Sequence, residues 1–560
     1  MAIYKWPQSI IKETEIAMRN FLWAGDPSIQ RRVTVAWRDV CRPLAEGGLG
    51  IRALKDVNNA MLMKLAWHIV GGNDKFASFM KSKFFNKQGE IIQYHRPSSI
   101  WTGIKDVIPE ILSRSQWSIG NGISIDLWRQ NWLGTHSLKD RLQLSSADIA
   151  NFRSKVGSLV YNSTLLIPPQ LHEVLVEAGL DSNNVLKDED FEPDTLIWCP
   201  MINGKFSVKS AYSEIRETRN EAAWAEFIWK AYIHPRVSAQ AWKIIRNGVA
   251  SDSRAQSIGV SLASICRVCK GGEDSMIHVV WHCPMAQRLW QWARRRFKMT
   301  GNCLNFQVAM KGKDSWSLLH KHLWTTTVVS CLVALWQHRD NMVWNNAQQS
   351  MGKCCNFVRK QVLLVGRFSK ALHFGSPMEL DIVETWGINT RVSPGFSVQE
   401  CYWLPPPHMV MKVNTDGAAT GLAGIGFVFR DHDCNTILVG CQQIGAENCF
   451  FGECLAILTA MEVAAARGWT KLWVETDSQA ALGAFVNFQV PWRLTFRWKK
   501  VKSCFTSLLL SSIWREANFS ADKASKIALQ KSSQELELID GKPPWLDRVE
   551  SADCAYYRFS

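Results

Sequence analysis

Met411-Lys412-Val413-Asn414-Thr415-Asp416-Gly417-Ala418 reads as a strand over 411–416 that ends on an acid, with a glycine beside it to free the backbone. Working outward, strands are expected at 423–430 and 435–444, with Gly421, Gly424 and Gly440 marking turns. A helix is expected over 451–467, closed by Arg467-Gly468, then a strand at 471–476 and a short helix from Ser478. A basic helix at 493–508, a strand near 510–515 and a last helix from about Phe519 complete the pattern. Strands first and alternation afterwards describe an α/β domain, a mixed five-stranded sheet packed by helices. Leu404-Pro405-Pro406-Pro407-His408 bounds it upstream, because three prolines fix an extended linker.

Four acids fall at strand ends and helix starts of this pattern: Asp416, Glu453, Asp477 and Asp522. Glu453 heads the apolar stripe Ala456, Ile457, Ala460, Met461 and Ala464, so its carboxylate belongs to the face that packs on the sheet. Carboxylates brought to one point repel one another unless cations are bound. Oxygen-only ligation suits Mg²⁺ or Mn²⁺, and two such ions about 4 Å apart can serve phosphodiester cleavage. Singly, each acid has a plainer reading: Glu453 as a partner of the helix dipole, Asp477 and Asp522 as helix caps.

Val413-Asn414-Thr415-Asp416-Gly417-Ala418, Gly452-Glu453, Val474-Glu475-Thr476-Asp477-Ser478 and Arg515-Glu516-Ala517-Asn518-Phe519-Ser520-Ala521-Asp522 together resemble the RNase H type-1 domain of plant LINE-type (non-LTR) retrotransposon proteins. The resemblance covers about residues 408–532. It implies an RNase H fold, two Mg²⁺ or Mn²⁺ ions on Asp416, Glu453, Asp477 and Asp522, and cleavage of the RNA strand of RNA–DNA hybrids. One departure concerns the histidine that the family carries ten residues before its last aspartate, which is Ser512 here. A serine cannot deliver a proton near neutral pH as imidazole does, so slow or lost turnover is expected. Arg493, Arg497, Lys499, Lys500 and Lys502, with Trp492 and Trp498 among them, and Asn518 are the expected substrate contacts. A solvated helix face is the competing reading of that basic run.

Cys266-x2-Cys269-x8-His278-x4-Cys283 has the spacing of a compact tetrahedral Zn²⁺ site, with His282 as an alternative ligand. Buried thiols beside a satisfied histidine are the competing reading. Gly204-Lys205-Phe206-Ser207-Val208-Lys209-Ser210-Ala211-Tyr212, Trp229, Pro235, Trp242, the cluster and Trp290 resemble the reverse-transcriptase zinc-binding domain, over about residues 190–295. The resemblance implies one structural zinc ion in a module that helps bind nucleic acid. Phe21-Leu22-Trp23-Ala24-Gly25, Glu46-Gly47-Gly48-Leu49-Gly50 and Trp117-Ser118-Ile119-Gly120-Asn121-Gly122 resemble the stretch that follows the polymerase palm in the same elements. No aromatic-x-Asp-Asp turn is present, so a chain without the palm is expected.

The expected division is 1–135, a helical post-palm remnant; 136–189, a connector; 190–300, the zinc-binding domain; 301–407, a helical connector ending in the proline linker; 408–535, the RNase H domain; and 536–560, a tail. The acidic run at 188–192 is expected as a surface connection, and 352–395 reads as basic and poorly patterned. The 560 residues carry 65 Lys and Arg against 50 Asp and Glu, and the formal charge of +15 favours a polyanionic partner. Leu323 to Trp336 is too short to span a membrane and carries Thr325, Thr326, Thr327 and Ser330, so no membrane partner is expected. Sixteen scattered cysteines without a secretory signal point to a reducing, intracellular compartment, with nucleus and cytoplasm both open. Oligomeric state has no signal in the sequence. The 27 tryptophans sort into motif positions such as Trp23, Trp37, Trp117, Trp128, Trp229 and Trp290, and are expected as core anchors.

Overall fold

The computed structural model describes residues 3–30, 34–161, 164–180, 193–301, 303–310, 315–389 and 398–559; the acidic run at 188–192 lies outside them. The chain divides into two compact units: Met1–Lys5 with Asn58–Arg216 and Phe396–Ser560, and Trp6–Val57 with Glu217–Gly395. This division cuts both the expected 1–135 remnant and the expected 190–300 domain, because their halves bury their apolar faces in different cores.

In the unit containing 217–395, the core gathers around the helix Leu318–Trp344. The sequence suggests an amphipathic helix here, but it is buried nearly all round. Two of its hydroxyls are satisfied internally, Thr325 donating to Lys321 O at 2.7 Å and Thr327 to Leu323 O at 2.8 Å, whereas those of Thr326 and Ser330 are buried without a partner. At 27 residues it is long and apolar enough to cross a membrane, contrary to the expectation from 323–336 alone; 83% of its most apolar window is packed inside the unit. The segment 352–395 is better patterned than its sequence suggests. It contains the helices Met351–Phe368 and Pro377–Trp386, whose Val358, Val362, Val365, Ile382 and Trp386 join the same core. The described residues 303–310 and 315–389 thus contribute to a core rather than merely connecting.

Tryptophans anchor this unit by burying their rings, and three of them find a carbonyl for the indole N–H, while those of Trp23, Trp37, Trp229 and Trp386 are buried without a partner. Trp242 donates to Gly47 O at 2.9 Å, Trp290 to Val280 O at 2.8 Å and Trp324 to Ala309 O at 2.8 Å.

The other unit contains three large cores and two smaller clusters. One is built on the helices Leu54–Gly71, Lys75–Phe84 and Trp101–Leu112, and a second gathers Trp117, Trp132, Val156 and Leu175. The second core draws on 136–180, so this stretch is also more than a connector. The third core belongs to a mixed sheet. Its strands lie in the order Ser507–Ser512, Lys471–Thr476, Met411–Ala419, Ala423–Arg430, Thr436–Gly445, Glu537–Asp540. The first three are mutually parallel and the remaining pairings antiparallel. Helices Cys449–Ala466 and Phe519–Leu529 pack against its central strands, which is why Ala423–Arg430 is buried at every position.

Three expectations need correction. The sheet has six strands, not five, because Glu537–Asp540 pairs with Thr436–Gly445. The expected strand at 510–515 runs instead over Ser507–Ser512, and the helix before it ends at Lys502, since parallel pairing with Lys471–Thr476 sets the register. The expected tail is structural: Ala555–Phe559 pairs with Val398–Tyr402, and Leu546 and Glu550 are buried.

Candidate active site and metal centre

Asp416 lies in the Met411–Ala419 strand opposite Gly426. Gly417 does more than free the backbone. A Cβ there would stand 2.4 Å from Glu453 N, so the missing side chain lets the helix Cys449–Ala466 bring Glu453 against the strand. Gly426 does the same on its face, where a Cβ would stand 2.2 Å from Ser525 N. Asn448 caps the first helix by accepting from Phe451 N at 2.8 Å, leaving Glu453 a turn inside rather than at the dipole end. Ser478, not Asp477, caps the helix Gln479–Val486.

Asp416, Glu453 and Asp477 each bring a carboxylate oxygen within 4.8 Å of the others. Burial, with Asp416 and Asp477 nearby, pushes Glu453 up to about 9; burial, with Asp477 and Asp522, pushes Asp416 up to about 6. Asp477 is raised too, mainly by burial. Ser525 donates to Asp416, whereas Glu453 Oε2 is buried with no hydrogen-bond partner. A buried carboxyl oxygen without a partner, beside two more acids, fits a divalent cation ligated by oxygen alone.

Asp522 does not join this cluster. Cations beside it compete: Arg515 donates to it at 2.6 Å and Lys526, one turn along the helix, at 2.5 Å. Burial alone would raise its carboxyl, but these two partners outweigh that and hold it below the ordinary carboxylate range.

Behind the acids lies a buried polar network. Lys412 sits 2.8 Å from Glu475, and its ammonium lies 3.9 Å over the Trp473 ring. Arg430 pairs with Glu550 at 2.7 Å, donates to Asn414 at 2.9 Å and stacks 3.8 Å over Trp403. Asn414 donates to Asn518, which donates in turn to Thr415 O at 3.0 Å. Asn518 also hydrogen-bonds Asp477. Asn518 is 0% exposed, so it cannot be the surface contact expected of it; it positions the strand and Asp477 from behind.

The expected basic contacts are partly committed elsewhere. Arg497 forms a fork on Glu462 at 2.8 and 2.5 Å, and Arg493 pairs with Glu447 at 2.6 Å. Lys502 lies 4.5 Å over the Phe488 ring, and Trp498 is a core residue. Lys499 and Lys500 are exposed. A groove of about 990 Å³ instead opens beside Asp477, lined among others by Trp473, Ser512, Trp514, Arg515 and Arg558. Arg558 stacks 4.0 Å over Trp514. Its role has no local sequence signal, since it depends on strands more than 150 residues apart meeting.

In the second unit Cys266, Cys269, His278 and Cys283 bring one ligand atom each within 4.8 Å of the others. The Cys-x2-Cys turn closes through Lys270 N donating to Cys266 O at 2.8 Å, with Lys270 at φ 58°. Gly272 leaves room for the imidazole, since a Cβ there would stand 2.6 Å from His278 Cε1. A hydrogen bond from Cys283 lowers the Cys266 thiol and raises its own. His282 is exposed and outside the cluster, which removes it as an alternative ligand. Three sulfurs and one imidazole at this separation fit a tetrahedral zinc ion. The loop is tied to the central helix by Arg339, which forks onto the fully buried Asp274.

Residues 206–290 match the family model described as zinc-binding in reverse transcriptase, and residues 414–528 match one described as reverse transcriptase-like. The chain carries a reverse-transcriptase zinc-binding domain and an RNase H-like domain. Two Arabidopsis thaliana proteins are similar to it. One, named "Putative ribonuclease H protein", is 27% identical over 450 residues, covering 76% of this chain and 68% of its own. The other, an uncharacterized mitochondrial protein, is 29% identical over 138 residues, 24% of this chain and 89% of its own. Similar solved structures include RNase H1 from Halobacterium salinarum, 23% identical with a TM-score of 0.21, covering 22% of this chain and 98% of that one. LC11-RNase H1 in complex with an RNA/DNA hybrid is 25% identical with a TM-score of 0.20, at 22% and 98% coverage.

Proposed function

We propose that residues 408–559 form a metal-dependent ribonuclease that hydrolyses the RNA strand of RNA–DNA hybrids, within a LINE-type retroelement protein. The carrying observation is the convergence of Asp416, Glu453 and Asp477 around a carboxylate oxygen that no protein group satisfies. The reverse transcriptase-like family match supports the hybrid as substrate class. Asp416, Glu453 and Asp477 would hold Mg²⁺ or Mn²⁺, two ions in all, and Asp522 would act as the fourth acid only on leaving Arg515 and Lys526. Bound there, such ions supply an activated water and stabilise charge on the leaving 3′ oxygen.

The chain's own groups do the rest. Ser525 orients Asp416, and Asn518 holds Asp477 against the strand. Arg515 and Arg558 present cations, and Trp514 a ring, along the groove where a strand would lie. Ser512 ends the edge strand of the sheet, exposed at the place where the resembling family has histidine. It cannot carry a proton near neutral pH, so the leaving oxygen must take its proton from water. This favours a second reading, a nucleic-acid-binding protein with weak or no turnover.

Cleavage of a labelled RNA–DNA hybrid in Mg²⁺ or Mn²⁺ separates the two, with Asp477→Asn as control. Product above the control supports the hydrolase; product equal to it leaves the binding reading. The Cys266, Cys269, His278 and Cys283 cluster would hold one structural zinc ion. Thiolate ligation persists only where thiols stay reduced, so this reading carries a reducing compartment with it.

A further inference from the structure

The unit that holds the cysteine cluster also carries a groove of about 420 Å³, lined among others by Arg288, Trp292, Arg295, Arg296, Lys298 and Thr385. All but Arg288 and Thr385 lie on or just after the last two turns of the helix Pro284–Arg296, which contains no acid. Arg288 and Arg295 are seven residues apart, hence on one face, and both are exposed. Among the described residues no carboxylate forms an ion pair with either, whereas Lys298 is paired with Asp381 at 2.7 Å. Glu384, exposed one turn from Asp381, is the other acid of the facing helix Pro377–Trp386 after its buried Glu379.

Arg296 is fixed at the floor of the groove. It donates to Thr385 O at 2.8 Å, and its guanidinium stands 5.0 Å from the Trp292 ring and 5.2 Å from that of Trp386. Arg359, from the helix Met351–Phe368, adds to the positive field at Arg296. Apart from Asp381 on Lys298 and the exposed Glu384, these charged groups are all cations that repel one another, and an anion relieves that repulsion. They run along a helix rather than around a point. Arg288 and Arg295 are separated by about 10 Å of helix axis, a span of about three phosphates at ~3.4 Å per strand. A linear polyanion suits this arrangement better than a single phosphate.

We infer that this groove binds the phosphodiester backbone of a nucleic acid, as an anchoring site distinct from the carboxylate cluster. Phosphate contacts of this kind confer affinity and register without sequence preference.

The test is the salt dependence of binding to a labelled RNA–DNA hybrid, by fluorescence anisotropy on the full chain. No divalent metal is added, so the hybrid stays intact, and no chelator is used, so zinc is kept. Arg288→Ala/Arg295→Ala should weaken binding about tenfold and lower the slope of log K against log salt by about two, one per phosphate contact. Arg295→Lys should keep the slope. Lys64→Ala/Lys87→Ala, two exposed charges outside the groove, should change both far less. An unchanged slope in the groove variant, or an equal fall in the control, overturns the inference. Should the double variant lose zinc or melt early, Arg288→Ala alone carries the slope measurement. Hybrid cleavage is read separately, so an inactive wild type would retire the hydrolase and leave this result standing.

Discussion

Glu453 is 7% exposed and lacks a partner for Oε2, and the consequences of that can be measured. In the folded chain its proton leaves at about 9 against an ordinary 4.5, and that of Asp416 at about 6 against 3.8. Folding therefore favours their protonated forms. The stability they contribute is complete below about pH 4 and is lost as pH rises through the two folded values. Protein with zinc but no added Mg²⁺ should melt lower at pH 9 than at pH 6. Glu453→Gln should flatten that difference and raise the melting temperature at pH 9 by a few degrees, about what 1–2 kcal/mol is worth in a unit of this size. Parallel pH profiles for the two proteins would locate the charge penalty elsewhere. Ser512→His should raise hybrid turnover by about tenfold or more, the usual scale of a positioned proton donor. An unchanged rate would mean that proton transfer does not limit turnover. The convergence of Asp416, Glu453 and Asp477, and of Cys266, Cys269, His278 and Cys283, was legible because local motifs carry these residues, whereas Asp522 was expected with the acids and is held apart from them by Arg515 and Lys526. The pairing of Asp522 with Lys526 is an i, i+4 contact on one helix face that spacing alone permits, yet the motif resemblance assigns Asp522 to a metal instead. Burial of Asn518 was not, since it arises from contact with a strand about 100 residues away.

At the scale of elements, glycines decide how closely helices approach the sheet. Gly417→Ala would press a methyl group into the backbone at Glu453 and move the helix Cys449–Ala466 off the strand. Melting should fall by several degrees, and hybrid cleavage should drop at least a hundredfold through misplacement of the carboxylate. Retained activity would show that the helix can shift without cost. The order and type of the sheet elements were readable from apolar runs and glycine turns. Their edges were not. Ser507–Ser512 begins three residues before its expected start because a partner strand sets its register. Glu537–Asp540 has too few residues to announce itself and exists only through pairing with Thr436–Gly445.

At the scale of the whole molecule, the two units should respond differently to loss of zinc. Chelation, or Cys269→Ser, should release about one zinc ion per chain and expose 217–395 to limited proteolysis while Phe396–Ser560 stays resistant. Cleavage spread evenly over both units would deny the metal a local structural role. Composition indicated a polyanion-binding, tryptophan-anchored chain, yet it could not indicate that 6–57 and 217–395 share one core. That association depends on contacts such as Trp242 to Gly47, 195 residues apart.

The pairing of Arg430 with Glu550 sets the smallest piece of this chain that can be handled alone. Motif boundaries invite a cut near residue 532, just after the last acid-bearing helix. Such a fragment would leave a guanidinium with no exposure without its paired carboxylate, an omission worth about 3–5 kcal/mol when one partner of a buried pair is removed. It would also strip the partner strand from Val398–Tyr402 and leave an open edge prone to self-association. A fragment spanning 398–559 should be soluble and monodisperse, and one ending at 532 should aggregate. For anyone expressing the domain, the segment 537–559 is part of its foundation.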